Sequence, residues 1–476
     1  MYMLNMYYTF QNKVKSLINN KYIEEIYVAL VLLISFLGWS YNSIVGISIL
    51  SFLATIAIIF TNDLKYIVPI VIFLPFTIGF AFDSTVIPFS LIVIICVFLA
   101  VLTIFTIVNG MHLSKMKSFV PLLGIGITTL IPIFWFTPNN ESQVMFYFVY
   151  FGNLLFFVLY FLLTNGIKED AKIIMSKSFM YLIILLTFQL VIRLIQIYGK
   201  ILISDEIFYC GWGLCNEVGI MICFSFPFAF YLLNKSDDVL MYVYRLVFIL
   251  IGGVGIILSS SRASYIFGGV IFALSIISSC FIKKNKKTLI STGILILISF
   301  AVVIIFRERI IKAIDAVFSL GLENNGRFIL FGKAWDIFTS SLRNILFGGG
   351  SCALIEELFT AGGKQEAQVV FHSTFFQTLI VGGIFCLAFL LIHLVQKYKM
   401  LLSLEKKLAI PLFISFIMVD AYGMMDNTYH MFYYMIPLVT ILACFDSQNE
   451  GKSRVKKNND KTNISLEETI KIEEQI

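Results

Sequence analysis

The residues best suited to chemistry are a sparse set of cations and imidazoles in an otherwise apolar chain: Arg193, Arg262, Arg327, His372 and His430. A guanidinium stays charged at any physiological pH and grips phosphate oxygens through parallel N–H donors. A neutral imidazole near pH 7 can take a proton from a hydroxyl. Arg262 stands in a short hairpin, Ser259, Ser260, Ser261, Arg262, Ala263, between two apolar runs, and His372 stands at the mouth of another run. Gln189, Arg193 and Gln196 recur at spacings of 4 and 3 on one helix face. Polar side chains at membrane depth turn toward the protein interior or a wet cavity, so this face points to a ligand. The set as a whole suits an anion held beside a hydroxyl that loses its proton. The plainer alternatives are an Arg262 that snorkels to lipid headgroups and an interfacial His372.

The elements that must position these residues follow from composition. Of 476 residues, 59% are hydrophobic and 13% charged, the latter about half the level of soluble domains. A water-soluble fold is excluded. At ~20 apolar residues per bilayer-spanning helix, the apolar stock supplies about fourteen spans. The apolar residues come in continuous runs rather than alternating segments, which excludes a β-barrel. The expected fold is an all-α polytopic integral membrane protein with about 14 transmembrane helices (12–14) and one long extracytosolic loop carrying an amphipathic helix. Spans are expected near 26–39, 43–60, 66–82, 87–108, 119–136, 144–163, 179–198, 217–233, 239–258, 264–282, 289–305, 374–395, 408–422 and 429–445.

Charge sets the orientation. With the amino terminus inside, the short inner segments hold Lys13, Lys15, Lys21, Lys65, Lys115, Lys117, Lys168, Lys172, Lys177, Lys235, Lys283, Lys284, Lys286, Lys287, Lys397, Lys399, Lys406 and Lys407. The short outer loops hold only Lys200 and Arg262, so the positive-inside rule makes both termini cytosolic. Arg262, Arg327, His372, His430 and Asp426 then face outside, whereas His112 and His393 fall on the inner side. Residues 1–25 form a cytosolic N-terminal tail without a cleavable signal pattern. Residues 26–305 hold helices 1–11, 306–371 the long extracytosolic loop, 372–445 helices 12–14, and 446–476 a disordered cytosolic tail. The net charge of +6 is spent on topology and suggests no nucleic-acid partner.

A loop of that length is usually functional. Phe328, Phe331, Trp335 and Phe338 recur at spacings of 3, 4 and 3, which predicts an amphipathic helix over 327–341 that lies on the membrane and walls a site at the outer leaflet, ended by Gly348, Gly349 and Gly350. Gly362, Gly363, Lys364 lacks the following Ser or Thr and a preceding strand, so it is no nucleotide-binding loop. No outer cluster of carboxylates and histidines has metal-ligand spacing, and no CxxC pair occurs, so neither metal nor cofactor is expected. Cys210 and Cys215 fall outside, either as a small disulfide or as two free thiols; their offset does not specify bond geometry, and free thiols are the preferred reading.

Four motifs in order resemble one family. Cys210, Gly211, Trp212, Gly213, Leu214, Cys215, Asn216, Glu217 enters a span; Ser259 to Ala263 links two spans; Gly326 and Arg327 open the helix with Trp335; and His372, Ser373, Thr374, Phe375, Phe376, Gln377 precedes Val381, Gly382, Gly383. In this sequence, with a long outer loop between the second and the last, they resemble the O-antigen ligase and O-antigen polymerase superfamily over roughly residues 190–395. Ala263 stands where the family usually has Gly. The resemblance implies transfer of a glycan from an undecaprenyl-diphosphate-linked donor to an acceptor hydroxyl. The transfer takes place at the outer face of a bacterial cytoplasmic (inner) membrane, without nucleotide sugar or metal. On that implication Arg262 stabilises the departing diphosphate, His372 deprotonates the acceptor hydroxyl, and Arg193, Arg327, Asn216, Gln189 and His430 bind substrate. A single displacement inverts the anomeric carbon.

Two function classes follow. The first is a glycosyltransferase, either polymerising lipid-linked repeat units into O-antigen, capsular or exopolysaccharide, or ligating the glycan to another acceptor. The second is a lipid-linked oligosaccharide flippase. A flippase must show its polar site to both leaflets, and here the polar residues and the long loop are one-sided, which favours the enzyme. Polymerase is preferred to ligase because nothing in the chain reads a lipid A core acceptor. A polymerase has a chain-length regulator as a candidate partner.

Overall fold

The computed structural model describes residues 2–79, 89–113, 116–135, 143–201, 208–236, 238–282, scattered positions between 290 and 315, 326–350 and 372–447. Among them every regular element is helical. Eight helices are long and apolar enough to cross a membrane, and four shorter apolar helices accompany them. The span expected at 289–305 and the carboxy-terminal tail beyond 447 lie largely or wholly outside the described residues.

The apolar runs fold as helices because the bilayer core supplies no hydrogen-bond partner for free backbone groups. In order they are α1 (Tyr2–Ile18), α2 (Lys21–Ser40), α3 (Ser43–Thr61), α4 (Val68–Phe73, extended on both sides by 3-10 turns Leu64–Ile67 and Leu74–Thr77), α5 (Phe89–Asn109) and α6 (Phe119–Leu130). There follow α7 (Gln143–Gly166), α8 (Lys172–Tyr198), α9 (Cys215–Lys235), α10 (Val239–Leu258), α11 (Arg262–Ile282), α12 (Gly326–Thr339), α13 (Leu342–Phe347), α14 (Thr374–Leu401), α15 (Lys406–Gly423) and α16 (Phe432–Asp446). The breaks have visible chemical causes. Asn42 and Asp238 cap α3 and α10 by accepting from backbone N–H groups, and Pro69 and Pro75 fall where α4 passes into or out of 3-10 geometry.

Helix α9 is central: 89% of its apolar window is buried, against 28% for α5, which faces outward. Phe224, Phe226, Phe228 and Phe230 fill its surroundings, with Phe228 stacked on Phe179 of α8 at 4.3 Å and Phe224 on Phe416 of α15 at 5.9 Å. Lipid is as apolar as these rings, so what selects the arrangement is the fit of ring on ring rather than exclusion of water.

Three expectations change. Residues 1–25 are no simple tail: α1 docks on α3, where Phe10 meets Phe60 at 5.7 Å and Gln11 donates to the Ile59 carbonyl. Lys177 and Lys397, read as inner-loop charges, lie buried within α8 and α14. Lys177 is 2.7 Å from Glu24 and 3.3 Å from Glu25, and Lys397 is 2.7 Å from Asp420; these partnered carboxylates let the lysines enter the bundle. Third, the glycine run does not end the amphipathic helix. That helix stops at Thr339, because Ser341 caps a separate helix, α13, and Asn344 reaches back to the Ile337 carbonyl. Phe331 stacks on Phe376 at 4.7 Å, and Ala334 and Phe338 pack on Leu379 and Ile380, so Phe331 and Phe338 of the stripe cover α14 while Trp335 stays exposed.

The glycine run instead locks a kink. Gly383 leaves the helical region at φ 67°, ψ −164°, which frees the Ile380 carbonyl from its intrahelical partner. Gly349 and Gly350 N–H donate to that carbonyl at 2.8 and 3.0 Å. A Cβ on Gly348 would lie 2.6 Å from the same oxygen, and one on Gly383 2.4 Å from the Leu346 backbone. The amino-terminal half of α14, which carries the His372 motif, is thereby fixed against α12 and α13.

Candidate functional site

The hairpin between α15 and α16, residues 424–431, returns to the start of α14. The Asp426 carbonyl accepts from Thr374 N–H at 3.2 Å, and Thr374 Oγ1 accepts from Thr428 N–H at 3.1 Å. These bonds place His372 Nδ1 at 3.2 Å from Asp426 Oδ1. Asp426 is further held by the Tyr422 hydroxyl at 2.8 Å and by the Asn427 N–H at 2.8 Å. Burial alone would raise the Asp426 carboxyl, but the bond and charge of His372, then Tyr422 and Asn427, outweigh it and hold the carboxyl below its usual range. An ionised carboxylate on Nδ1 fixes the tautomer with its proton on that nitrogen and leaves Nε2 as the free base. The His372 side chain is 32% exposed, so Nε2 is open to a ligand.

The backbone at this point is unusual. His372 adopts φ 48°, and Ser260, two residues before Arg262, adopts φ 55°; with Asn62 these are the non-glycine residues at positive φ among those described. Such a conformation costs of order 1–3 kcal/mol and persists where the surroundings over-determine it. Asn tolerates it readily, whereas Ser260 and His372 both sit beside candidate ligands.

Arg262 opens α11 and is exposed, with no hydrogen bond or ion pair among the described residues. Ser261 caps that helix by accepting from Ser264 N–H at 3.1 Å, and Ser264 donates to the Asn216 carbonyl at the start of α9. The contact requires Gly219, where a Cβ would fall 2.4 Å from Ser264 Oγ and 2.6 Å from Ser259 Oγ. Phe267, farther along α11, meets Tyr422 edge-on at 6.1 Å, and Tyr422 is the residue bonded to Asp426. The starts of α9 and α11 thus meet each other, and α11 reaches through Phe267 the tyrosine that holds Asp426.

The remaining sequence-selected residues take several positions. Gln189 is fully buried, with its amide spent on the Phe76 carbonyl and the Trp212 indole at 2.8 and 2.9 Å. Arg193 donates to the Tyr209 carbonyl and to Gln196, both at 2.8 Å. With Trp39, which donates to the Cys210 carbonyl, they clamp the turn at 208–214 that leads into Asn216. Cys210 and Cys215 in this region are free, buried thiols, and burial pushes Cys210 well up. The Arg327 side chain lies outside the described residues. His393 is buried in α14, its ring 5.8 Å from Tyr429.

His430 accepts from Asn153 on Nδ1 at 3.2 Å, which puts its proton on Nε2, 2.9 Å from Thr378 Oγ1. Burial pushes this imidazole down to about 4. At pH 5 the folded chain keeps His430 neutral while the unfolded chain, at about 6.5, binds a proton, so stability falls as pH drops from about 6.5 toward 4. The thermal midpoint of the purified protein should fall over that window by more than that of His430→Asn; equal slopes would refute the assignment. Asp426 acts in a lower window, because a depressed carboxyl keeps its contribution above about 3.9 and loses it as pH falls through the folded value.

Sequence reasoning passed over Tyr422, Thr378 and Asn153, and gave Thr374 no part beyond its place in the His372 motif. Tyr422 and Asp426 are four residues apart, a helical spacing that was available as a signal, whereas Asn153 meets His430 only through the tertiary fold.

Residues 246–391 match the family model described as O-antigen ligase, and this bears out the superfamily resemblance. The matched stretch contains Arg262, Arg327 and His372, while Asn216 precedes it and Asp426 follows it. That family comprises glycosyltransferase-like enzymes, and the apolar helices fit a bacterial inner-membrane protein. No curated protein matches the chain.

Proposed function

We propose that the chain is a metal-independent membrane glycosyltransferase that polymerises lipid-diphosphate-linked oligosaccharide repeat units at the outer face of the cytoplasmic membrane. The observation that supports this most is the His372–Asp426 pair, which presents an open imidazole nitrogen at the end of the family-matched segment. In the reading, Nε2 of His372 takes the proton of the acceptor hydroxyl as its oxygen attacks the anomeric carbon. The bond from that carbon to the diphosphate oxygen breaks with inversion. Arg262, free of protein partners among the described residues, meets the charge that develops on the diphosphate. Arg327 adds a second cation from the start of α12. Asn216 lines the entry of α9, Gln189 and Arg193 hold the turn before it, and His430 fixes the floor through Thr378.

A ligase differs only in its acceptor, and the family description favours keeping it as the second reading. Purified protein in vesicles with lipid-linked repeat units should yield longer glycans still on lipid diphosphate if it is a polymerase. Glycan moved onto a non-diphosphate acceptor, and only when that acceptor is supplied, would make it a ligase. Orientation is tested separately. A reporter fused after Lys287 should read cytosolic and one near Lys364 extracytosolic, since Lys283, Lys284, Lys286 and Lys287 anchor the former inside. The reverse result would put the site on the wrong face for this chemistry.

A further inference from the structure

Glu217 is the third residue of α9, and the proposed chemistry gives it no part. Its Oε2 is buried with no hydrogen-bond partner among the described residues, and Oδ1 of Asn427, the neighbour of Asp426, is in the same condition. A buried acceptor left without a donor costs free energy that a bound donor recovers. Glu217 interacts electrostatically with Asp426 and His372, and together with Asp426 it acts on Tyr422 and Tyr433. The carboxyl group therefore lies within electrostatic reach of the open imidazole. Residue 213, which faces it, is glycine; a Cβ there would lie 3.6 Å from Oε2 and 3.3 Å from Glu217 Cβ.

The chemistry of the missing partner is constrained. A diphosphate offers acceptor oxygens and negative charge, which the ionised Asp426 of this cluster repels. A saccharide offers a ring of O–H donors. Resting on the glycosyl transfer proposed above, we propose that Glu217 accepts a hydrogen bond from a hydroxyl of the acceptor saccharide and so sets which hydroxyl faces His372. It takes no proton in the transfer step. Its work is recognition of the incoming sugar.

The probe is the free oligosaccharide released by mild acid from the membrane's own lipid diphosphate pool. Its affinity is measured on full-length wild type, Glu217→Gln and Glu217→Ala in nanodiscs, beside donor affinity and thermal midpoint. Glu217→Gln should keep the wild-type midpoint and donor affinity while binding the oligosaccharide about 10-fold more weakly, with Glu217→Ala at least as weak. The acceptor KM should rise by a similar factor with kcat within a few-fold. Wild-type oligosaccharide affinity in both variants overturns the inference. So does a parallel loss of donor binding, oligosaccharide binding and thermal midpoint in Glu217→Gln, which would make Glu217 a residue of the fold. Binding that depends on Glu217 in a wild type that transfers nothing supports the saccharide site while removing the glycosyltransferase reading.

Discussion

Product formation by His372→Ala is expected to fall by ~10²- to 10⁴-fold, the usual worth of a positioned acid or base, while lipid-linked donor binds nearly as before. The expectation rests on the geometry of the pair. Asp426 occupies Nδ1, so the ring has one nitrogen left for substrate; of the other imidazoles, His430 has both nitrogens engaged, His393 is buried in α14, and the exposed His112 stands in the connection after α5, away from the family-matched segment. His372 is not part of the packed interior, so the variant should insert and fold. Its left-handed backbone adds one control. Alanine at φ 48° is strained, whereas asparagine is at ease there. His372→Asn should therefore restore the thermal midpoint without restoring transfer. Wild-type turnover by either variant would reduce the histidine to an interfacial anchor.

Arg262→Ala should lower transfer by ~10²-fold or more, on the scale of removing one preorganised charge from a developing anion. Arg262→Lys should lie between it and wild type, because an ammonium keeps the charge but loses the planar fork that matches two phosphate oxygens. Stability should hardly change in either, since the exposed guanidinium makes no bond among the described residues whose loss would register. Turnover is read from purified protein with a defined lipid-linked donor, with donor affinity measured beside it. Undiminished transfer by Arg262→Ala would remove the reason for an arginine in this short hairpin and restore the flippase as the stronger reading.

Much of the helical layout is legible in the sequence, and its exceptions share a cause. The boundaries of α10 fall where the hydropathy places them, at 239 and 258, because Asp238 caps the start and a serine run ends it. Helix α8 begins at Lys172 rather than near 179, because Lys177 reads as a loop charge until Glu24 and Glu25 of α2 are seen beside it. Lys397 is the same case with Asp420. A charge that pairs across distant segments carries no sign of its partner in local spacing. The site shows the same division. Arg262 and His372 stand out by type and position alone, but the rank of Asp426 depends on a hairpin that returns to α14, and that contact bridges residues 372 and 426. Of the Gln189, Arg193, Gln196 face only Gln189 is buried, where it meets Trp212 and the Phe76 carbonyl, while Gln196 is exposed. The kink at Gly383 was hidden because a glycine pair within an apolar run is compatible with an unbroken helix.

The central claim is that the bond between glycan and lipid diphosphate is broken by this protein. The direct measurement is the yield of free lipid diphosphate when purified protein in vesicles meets a lipid-diphosphate-linked oligosaccharide, with glycan on new hydroxyls quantified in the same sample. The account predicts that the two appear in equal amounts, that both need Arg262 and His372, and that chelators leave them unchanged. Intact donor recovered in the opposite leaflet, with no free lipid diphosphate at any time, would contradict it.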